Sequence, residues 1–147
     1  MNEQRRARNQ EVVEEFRGNG GKVGGMFEGV PLLLLHHTGA RSGAAHVTPL
    51  AYLEDAGRWV VVAANGGRAH HPAWYFNVRA YPAVALEVGT EAHRAVARPA
   101  EGAEREELCA RFRAESRFFG GFEEQTDREI PVVVLEPLAA EGESPLG

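Results

Sequence analysis

The sequence predicts an α+β fold in which six short strands form one antiparallel sheet, closed into a barrel, with helices packed outside it. Three observations favour this fold. Short apolar or alternating segments recur along the 147 residues, tight glycine-bearing turns link most of them, and the strand–helix alternation of a parallel sheet is missing. With 44% apolar and 25% charged residues, the chain has the composition of one globular domain.

The N-terminal element is predicted to be a helix. Val12, Val13 and Phe16 form a short apolar stripe among charges over residues 3–17, and Gly18 ends it. We therefore expect an N-terminal helix at residues 1–18, a barrel domain at 19–137 and a disordered tail at 138–147. The tail is small, acidic and glycine-bearing, which is typical of disorder.

The six predicted strands share apolar content and end at turn residues. They span residues 31–37, 45–53, 58–64, 83–88, 91–98 and 130–135. Two further helices are expected, one that begins at Pro72 and ends before Pro82, and an acidic one over residues 103–112. Residues 113–128 are expected to be irregular and aromatic.

Charge and residue usage exclude several classes of function. The net charge is −5, so no basic excess indicates nucleic acid. The single cysteine, Cys109, cannot form an internal disulfide, which fits a reducing compartment. The aliphatic run at residues 30–35 is far shorter than the roughly 20 residues of a membrane span, and the polar N-terminus predicts no targeting segment. We expect a cytoplasmic monomer or homodimer, with peripheral membrane contact of the N-terminal helix left open.

Nucleotide loops of the common kinds and metal sites are not predicted. The glycine cluster near residue 20 has Val23 where a dinucleotide fingerprint needs glycine, and no Ser or Thr follows Lys22 as in a phosphate loop. His36 and His37 are adjacent on a strand, so their side chains point to opposite faces and cannot share an ion. No His-x-x-x-His or Cys-x-x-Cys spacing occurs, so we expect no metal.

Two loops have the composition of ligand-binding loops. The first, residues 38–43 followed by 46–49, combines glycines, backbone amides, hydroxyls and the Arg41 guanidinium, which together suit an anion. In the second, residues 64–67 are followed by a helix that presents Trp74 and Asn77 on one face, which suits a flat heteroaromatic ring. Taken alone, each composition favours a structural role: a hairpin turn with a surface Arg, or a core Trp beside an Asn bonded to backbone.

The order and spacing of these segments resemble the deazaflavin-dependent nitroreductase family, the F420-dependent branch of the split β-barrel flavin-binding fold. The resemblance covers roughly residues 11–137 and rests on the segments FRGNGGKVGG, PLLLL, TGARSG, TPL, VVAANGG, HPAWYFN and TDREIPVVVLEP. It implies a six-stranded split β-barrel, similar to the FMN-binding split barrels. It also implies an oxidoreductase that transfers a hydride from reduced coenzyme F420 to a quinone, an unsaturated lactone or a nitro compound.

The resemblance implies a set of coenzyme-binding residues and no catalytic side chain. They are Ala40, Arg41 and Ser42 at the phosphate region, His46, Val47, Thr48, Pro49 and Leu50 on the adjoining strand, Val62, Ala63, Ala64 and Asn65 against the ring, and Ala73, Trp74 and Asn77 on its other side. Lys22 and Arg68 are further candidates for the tail carboxylates. In a deazaflavin a carbon replaces the flavin nitrogen that passes electrons, so the protein need only orient the ring, seat the acceptor and exclude water.

The predicted substrate pocket departs from the family pattern. Ser116, Phe119 and Phe122 stand where members that reduce nitro compounds or quinones often carry tyrosines, and Ala64 and Asn65 replace a common Ser-Lys pair. Fewer groups can then hydrogen-bond to an acceptor or protonate it. We therefore expect an apolar acceptor and weak or absent nitroimidazole reduction.

Three alternative functions stay open on the sequence. An FMN-dependent oxidoreductase of the same barrel would bind FMN tightly and purify yellow. A non-catalytic carrier of F420 or a lipophile would bind the coenzyme without oxidising it in the presence of any acceptor. A structural or interaction barrel would bind neither cofactor.

Overall fold

The computed structural model describes residues 3–138, which contain four α-helices and seven β-strands. The helices are α1 (Glu3–Gly18), α2 (Ala73–Ala80), α3 (Gly102–Glu115) and α4 (Phe119–Gln125). The strands are β1 (Leu32–Thr38), β2 (Ala45–Ala51), β3 (Leu53–Asp55), β4 (Arg58–Val62), β5 (Ala83–Val88), β6 (Glu91–Pro99) and β7 (Val132–Pro137). None of these helices is long and apolar enough to cross a membrane.

All seven strands form one antiparallel sheet in the order β2-β1-β5-β6-β7-β4-β3. Its two edge strands, β2 and β3, are consecutive in the chain and separated only by Tyr52. β2 pairs with β1 as far as Ala51 opposite Leu32, and β3 pairs with β4 from Leu53 opposite Val60. One bent segment, residues 45–55, therefore belongs to both ends of the sheet and curls it into a split barrel.

The predicted antiparallel barrel with flanking helices is confirmed, and the strand count is corrected from six to seven. The segment predicted as one strand at residues 45–53 forms two, because at Tyr52 the chain exchanges β1 for β4 as its pairing partner. The Tyr52 amide donates to the Pro31 carbonyl (3.2 Å) at this break. Hydropathy cannot reveal such a bend, since the apolar pattern continues through it.

The central strands are buried on both faces, which explains their continuous apolar runs. Leu33 and Leu35 of β1 point into the barrel interior, whereas Leu32 and Leu34 pack against α1 around Phe16. β7 repeats this alternation, since one set of its side chains fills the barrel and the other packs beneath α3 and α4. Period-two alternation thus divides the apolar side chains among three clusters.

Helix α4 was not predicted, because residues 113–128 were expected to be irregular. Its sequence contains Gly120 and Gly121, which lower the intrinsic helix propensity. The helix is stabilised instead by tertiary packing, with the Phe119 ring 5.5 Å from that of Phe112 on α3. Of the predicted disordered tail, residues 139–147 lie outside the described part of the chain.

Candidate functional site

A cavity of about 570 Å³ lies between the turn that joins β1 to β2 and the first turns of α2. Six of the predicted coenzyme-binding residues line it, together with two that were not predicted singly, Gly39 and Phe76. The lining residues are Gly39, Ala40, Arg41, Ser42, His46, Ala73, Phe76 and Asn77. The structure thus brings the first predicted loop and the helix of the second predicted segment to one place, although Gly39 and Phe76 could be found from sequence only as parts of those segments.

The turn at residues 39–43, which lines this cavity, carries backbone amides with and without a protein acceptor. The Gly39 amide bonds to the Ala44 carbonyl (2.8 Å), and the Gly43 amide bonds to the Gly39 carbonyl (2.9 Å). Among the described residues, no protein acceptor binds the consecutive amides of Arg41 and Ser42. Two adjacent N–H donors beside an exposed guanidinium form a concave site suited to an anion.

Gly39 allows the turn to close tightly. A Cβ atom at this position would lie 2.6 Å from the Ser42 Oγ and 3.2 Å from the His46 Nε2. The Ser42 Oγ also accepts a hydrogen bond from the Ala44 amide (3.1 Å). A residue larger than glycine at position 39 would therefore displace the hydroxyl and imidazole that edge the cavity.

Beneath the turn lie His37 and Asn77, the two residues with hydrogen-bonding polar side chains that are buried, outside the aromatic core, among the described residues. The Asn77 Oδ1 accepts from the Ala40 amide (2.9 Å), and its Nδ2 donates to the His37 Nδ1 (3.0 Å). Since His37 Nδ1 accepts, its Nε2 carries the proton and donates to the Thr48 Oγ1 (2.8 Å). This chain of hydrogen bonds connects β2, β1, α2 and the turn.

Burial keeps His37 neutral. Burial first, and then the nearby imidazoles of His46 and His36, together lower the pKa of His37 from 6.5 to about 4. The His46 ring stacks on the His37 ring at 5.4 Å. A neutral His37 can accept from Asn77, whereas a protonated one could not, so the Asn77 amide is held in the orientation that receives the Ala40 N–H.

Residues 64–67 of the second predicted loop do not line the cavity, whereas Ala73 and Asn77 of the helix that follows them do. Ala63 and Ala64 are buried, and residues 65–67 form a 3-10 turn in which Asn65 has a positive φ of 51°. Trp74 and Asn77, the two predicted residues on α2, have different contacts. Asn77 bonds to the turn, whereas Trp74 packs in the barrel interior and is 5% exposed. The three-residue spacing placed both side chains on one helix face, but it could not predict that they have different partners.

The remaining predicted coenzyme-binding residues lie on β2 and at the end of β4. Val47, Pro49 and Leu50 of β2 and Val62 of β4 are half-buried. Lys22 and Arg68, the tail-carboxylate candidates, are exposed, and the Arg68 Nη1 donates to the Asn65 carbonyl (3.3 Å).

The predicted substrate-pocket residues do not line this cavity. Phe119 is buried in the cluster beneath α3 and α4, and Phe122 packs against the same cluster. The Ser116 Oγ accepts from the amides of Phe118 and Phe119 (3.2 and 3.3 Å) at the start of α4. All three belong to the side of the sheet that α4 covers, so their role as a substrate pocket stays a prediction.

The histidines make separate contacts. His36 Nε2 bonds to Glu87 Oε2 (2.6 Å), a carboxylate that also accepts two hydrogen bonds from Arg17 of α1, whereas His37 points toward Thr48. Within residues 3–138, no group of three His, Cys, Asp or Glu side chains is arranged to hold a metal ion.

Two candidate functional residues, Arg128 and His71, were not predicted from the sequence. Arg128 donates hydrogen bonds to the loop that joins β4 to α2, and His71 accepts one of them. Both residues lie inside segments that carry the family resemblance, TDREIP and HPAWYFN. The only signal was therefore their place in those segments, since a single Arg and a single His form no spacing pattern.

Comparison with known proteins identifies relatives of the whole domain. The sequence pattern of the F420H(2)-dependent quinone reductase family matches residues 8–137. An F420H(2)-dependent quinone reductase from Mycobacterium tuberculosis is 33% identical over 126 residues, which cover 82% of this chain and 83% of that protein.

Solved structures agree with this comparison. A structure described as an F420-H2 dependent reductase (FDR-A) is 38% identical, has a TM-score of 0.64 and covers 72% of this chain and 94% of its own. A second, described as a domain-swapped dimer, is 33% identical, has a TM-score of 0.68 and covers 90% and 97%. A haem storage protein from Vibrio cholerae, 16% identical with a TM-score of 0.56, covers 90% and 92% and shares the fold alone.

Proposed function

The chain belongs to the F420H(2)-dependent quinone reductase family, and on that premise we propose that the cavity between residues 39–43 and α2 binds coenzyme F420 for hydride transfer to a quinone. The resemblance to an F420-using split-barrel oxidoreductase is confirmed by the family match and by the relatives' names. The assignment of individual residues to this cofactor is our proposal.

The observation that carries the proposed site is the pair of amides at Arg41 and Ser42, which bond to no acceptor within residues 3–138, together with the Arg41 guanidinium. The phosphate region of the coenzyme tail is anionic, and oriented amides with an arginine fork are an effective protein receptor for phosphate. The Ala40 amide already donates to Asn77, so it is not one of the donors that we assign to the phosphate. Ala40 therefore supports the turn, while the next two residues are the donors that we assign to the phosphate.

The other wall of the cavity is apolar and suits a planar ring. Ala73 offers a small contact surface, and the Phe76 ring is 51% exposed at the cavity although it is large and apolar. An exposed aromatic side chain on a cavity wall favours a flat, hydrophobic ligand. We assign this wall to the ring system and to the quinone that must lie against it.

When bound, the coenzyme supplies the hydride, so the protein needs no nucleophile or metal for the transfer itself. The residues of the chain bind the anionic tail through the turn, orient the ring between α2 and the loop at residues 62–65, and exclude water. This division of labour is consistent with a site built from backbone amides, one arginine and apolar side chains.

The test is a titration of the purified protein with F420, followed by coenzyme fluorescence, with FMN titrated in parallel. Arg41→Ala should weaken F420 binding by roughly 10-fold or more, because charge-assisted hydrogen bonds to phosphate are lost. Arg94→Ala is the matched control, since it removes an exposed arginine on β6, away from the cavity. Tight FMN binding with no response to F420 would overturn the proposal.

Two finer points also belong to this proposal. We propose that the protein assembles as a homodimer, a view supported by the related structure described as a domain-swapped dimer. Light scattering on the purified protein measures this, and a monomer at micromolar concentration would contradict it. A cytoplasmic location and peripheral membrane contact of α1 stay predictions. Co-sedimentation of the protein with lipid vesicles tests the membrane contact.

A further inference from the structure

Arg128, which follows α4, binds both ends of the 3-10 turn at residues 65–67. Its Nη2 donates to the carbonyls of Ala63 (3.1 Å) and Ala64 (2.8 Å), and its Nε donates to the Arg68 carbonyl (2.9 Å). Because a guanidinium is planar and its donors are fixed in direction, three such bonds hold the loop in one position. The loop is the one whose residues 62–65 are proposed to lie against the cofactor ring.

Helix α4 packs closely against the same loop. Gly67 has a φ of 82°, and a Cβ atom there would lie 2.8 Å from the Gln125 Cβ. The last residue of α4 therefore packs directly on the 3-10 turn, three residues before Arg128. This packing fixes the distance from which Arg128 reaches the loop carbonyls.

The same guanidinium also sets the protonation of His71. Arg128 Nη1 lies 2.9 Å from His71 Nδ1, and an arginine can only donate. His71 Nδ1 is consequently an acceptor without a proton, so the neutral ring carries its proton on Nε2. Burial, and then the positive charges of Arg128 and Arg79, lower the pKa of His71 and favour this neutral form.

The Nε2–H of His71 is a donor without a hydrogen-bond acceptor among the described residues, and its ring contacts a residue of the cavity wall. The His71 ring packs 4.8 Å from the Tyr75 ring and 5.7 Å from the ring of Phe76, which lines the cavity. His71 therefore lies between Arg128, which holds the loop, and Phe76, which lines the cavity.

Holding a loop does not require a bond to an imidazole, so the contact with His71 calls for its own explanation. A neutral imidazole with a fixed tautomer is a directional donor that can polarise a carbonyl without giving up its proton. Both the cofactor ring and a quinone present carbonyl oxygens. The donor at Nε2 has the chemistry to bind one of them.

We propose that Arg128 is a positioning residue of the hydride-transfer site, which fixes the loop at residues 63–68 and holds His71 in the tautomer whose Nε2–H donates to a carbonyl oxygen of the bound cofactor or of the quinone. This inference rests on the proposed function, because it needs the cavity to hold those ligands. It adds two residues to a site whose predicted set contained neither.

The first measurement uses the protein without ligands. Nitrogen-15 chemical shifts should show His71 with a bare Nδ1 and a protonated Nε2, and Arg128→Lys should shift this tautomer ratio. Arg105→Lys is the matched control, because Arg105 Nη1 also donates to a backbone carbonyl, that of Ile130 (2.8 Å), but bonds neither to residues 63–68 nor to His71. A protonated Nδ1 in the wild-type protein would overturn the inference whatever the protein binds.

The second measurement uses His71→Phe, which keeps a ring against Tyr75 and Phe76 but removes the donor. If the carbonyl belongs to the cofactor, the F420 Kd should rise about 10-fold. If it belongs to the acceptor, the F420 Kd should be unchanged and kcat/KM for a soluble quinone should fall about 10-fold. Values equal to those of Arg105→Lys in both assays would overturn the inference. Absence of F420 binding by the wild-type protein would instead count against the proposed function.

Discussion

Truncation of Asn77 to alanine tests whether the buried pair beneath the turn supports the site. The Asn77 side chain makes two hydrogen bonds, one with the Ala40 amide and one with the His37 Nδ1. Asn77→Ala removes both bonds. It leaves the nitrogen of His37, a residue 6% exposed, without a donor.

The expected loss of stability follows from these contacts. Each hydrogen bond contributes about 0.5–1.5 kcal/mol net, and an unsatisfied buried acceptor costs about 1–3 kcal/mol. We expect a decrease in the free energy of unfolding of about 2–4 kcal/mol. For a chain of this length that lowers the Tm by about 6–12 °C. F420 affinity should also fall, because Ala40 is released from its position in the turn.

The assay is urea unfolding of Asn77→Ala, His37→Leu and the double variant, with Asn19→Ala as control. Asn19 is exposed and bonds only locally, so its loss should cost less than about 0.5 kcal/mol. If the buried pair acts as a unit, the double variant should be less destabilised than the sum by about 1 kcal/mol or more. Strict additivity, or an Asn77→Ala protein as stable as the wild type, would refute the reasoning.

Three further predictions concern the loop, pH and the N-terminal helix. Gly67→Ala should destabilise the protein by about 2–3 kcal/mol in urea unfolding and weaken F420 binding, whereas Gly57→Ala, with a similar φ of 81° but open space around its Cβ, should cost about 1 kcal/mol; equal losses would contradict the steric argument. The pKa of His37 is about 4 in the folded protein and 6.5 in the unfolded chain, so the unfolded chain binds the proton first as the pH falls. The free energy of unfolding should therefore fall by about 3 kcal/mol between pH 6.5 and pH 4. In urea unfolding, His37→Leu should flatten this part of the pH profile. Glu87→Gln should weaken the attachment of α1, because Glu87 accepts hydrogen bonds from Arg17 of the helix and from His36 of β1. We expect the free energy of unfolding to fall by about 1 kcal/mol, since the Arg17 side chain is half-exposed. Hydrogen exchange in α1 should become faster, whereas Glu91→Gln, at an exposed site, is the neutral control.

Much of the architecture could be predicted from local patterns. The apolar runs at residues 31–37 and 130–135 predicted strands, and β1 and β7 form there, buried on both faces. Gly57 marks the turn between β3 and β4, where Ala56 and Gly57 both have positive φ. Helix α4 escaped because its two glycines oppose a helix locally, while its contacts with α3 are made only in the folded chain.

The candidate site was likewise predictable in its local sequence features but not in its tertiary contacts. The loop at residues 38–43 was predicted as an anion site from its glycines, hydroxyls and Arg41, and the structure brings it beside α2. Its detailed chemistry was beyond the sequence. That Ala40 gives its amide to Asn77, leaving the next two amides as donors, depends on a contact between residues 37 positions apart.

By itself, the sequence determined the strand and helix periods, the glycines that permit tight turns, and the family whose chemistry the chain follows. These depend on local backbone preferences and on the order of segments, which are written along the chain. Only the tertiary structure decided that the sheet closes at Tyr52, that His37 and Asn77 share a buried hydrogen bond, and that Arg128 reaches Ala63 and His71 across more than 50 residues. The physical reason is that such hydrogen bonds depend on strand register and helix placement, which are set when the apolar side chains of the whole barrel pack together.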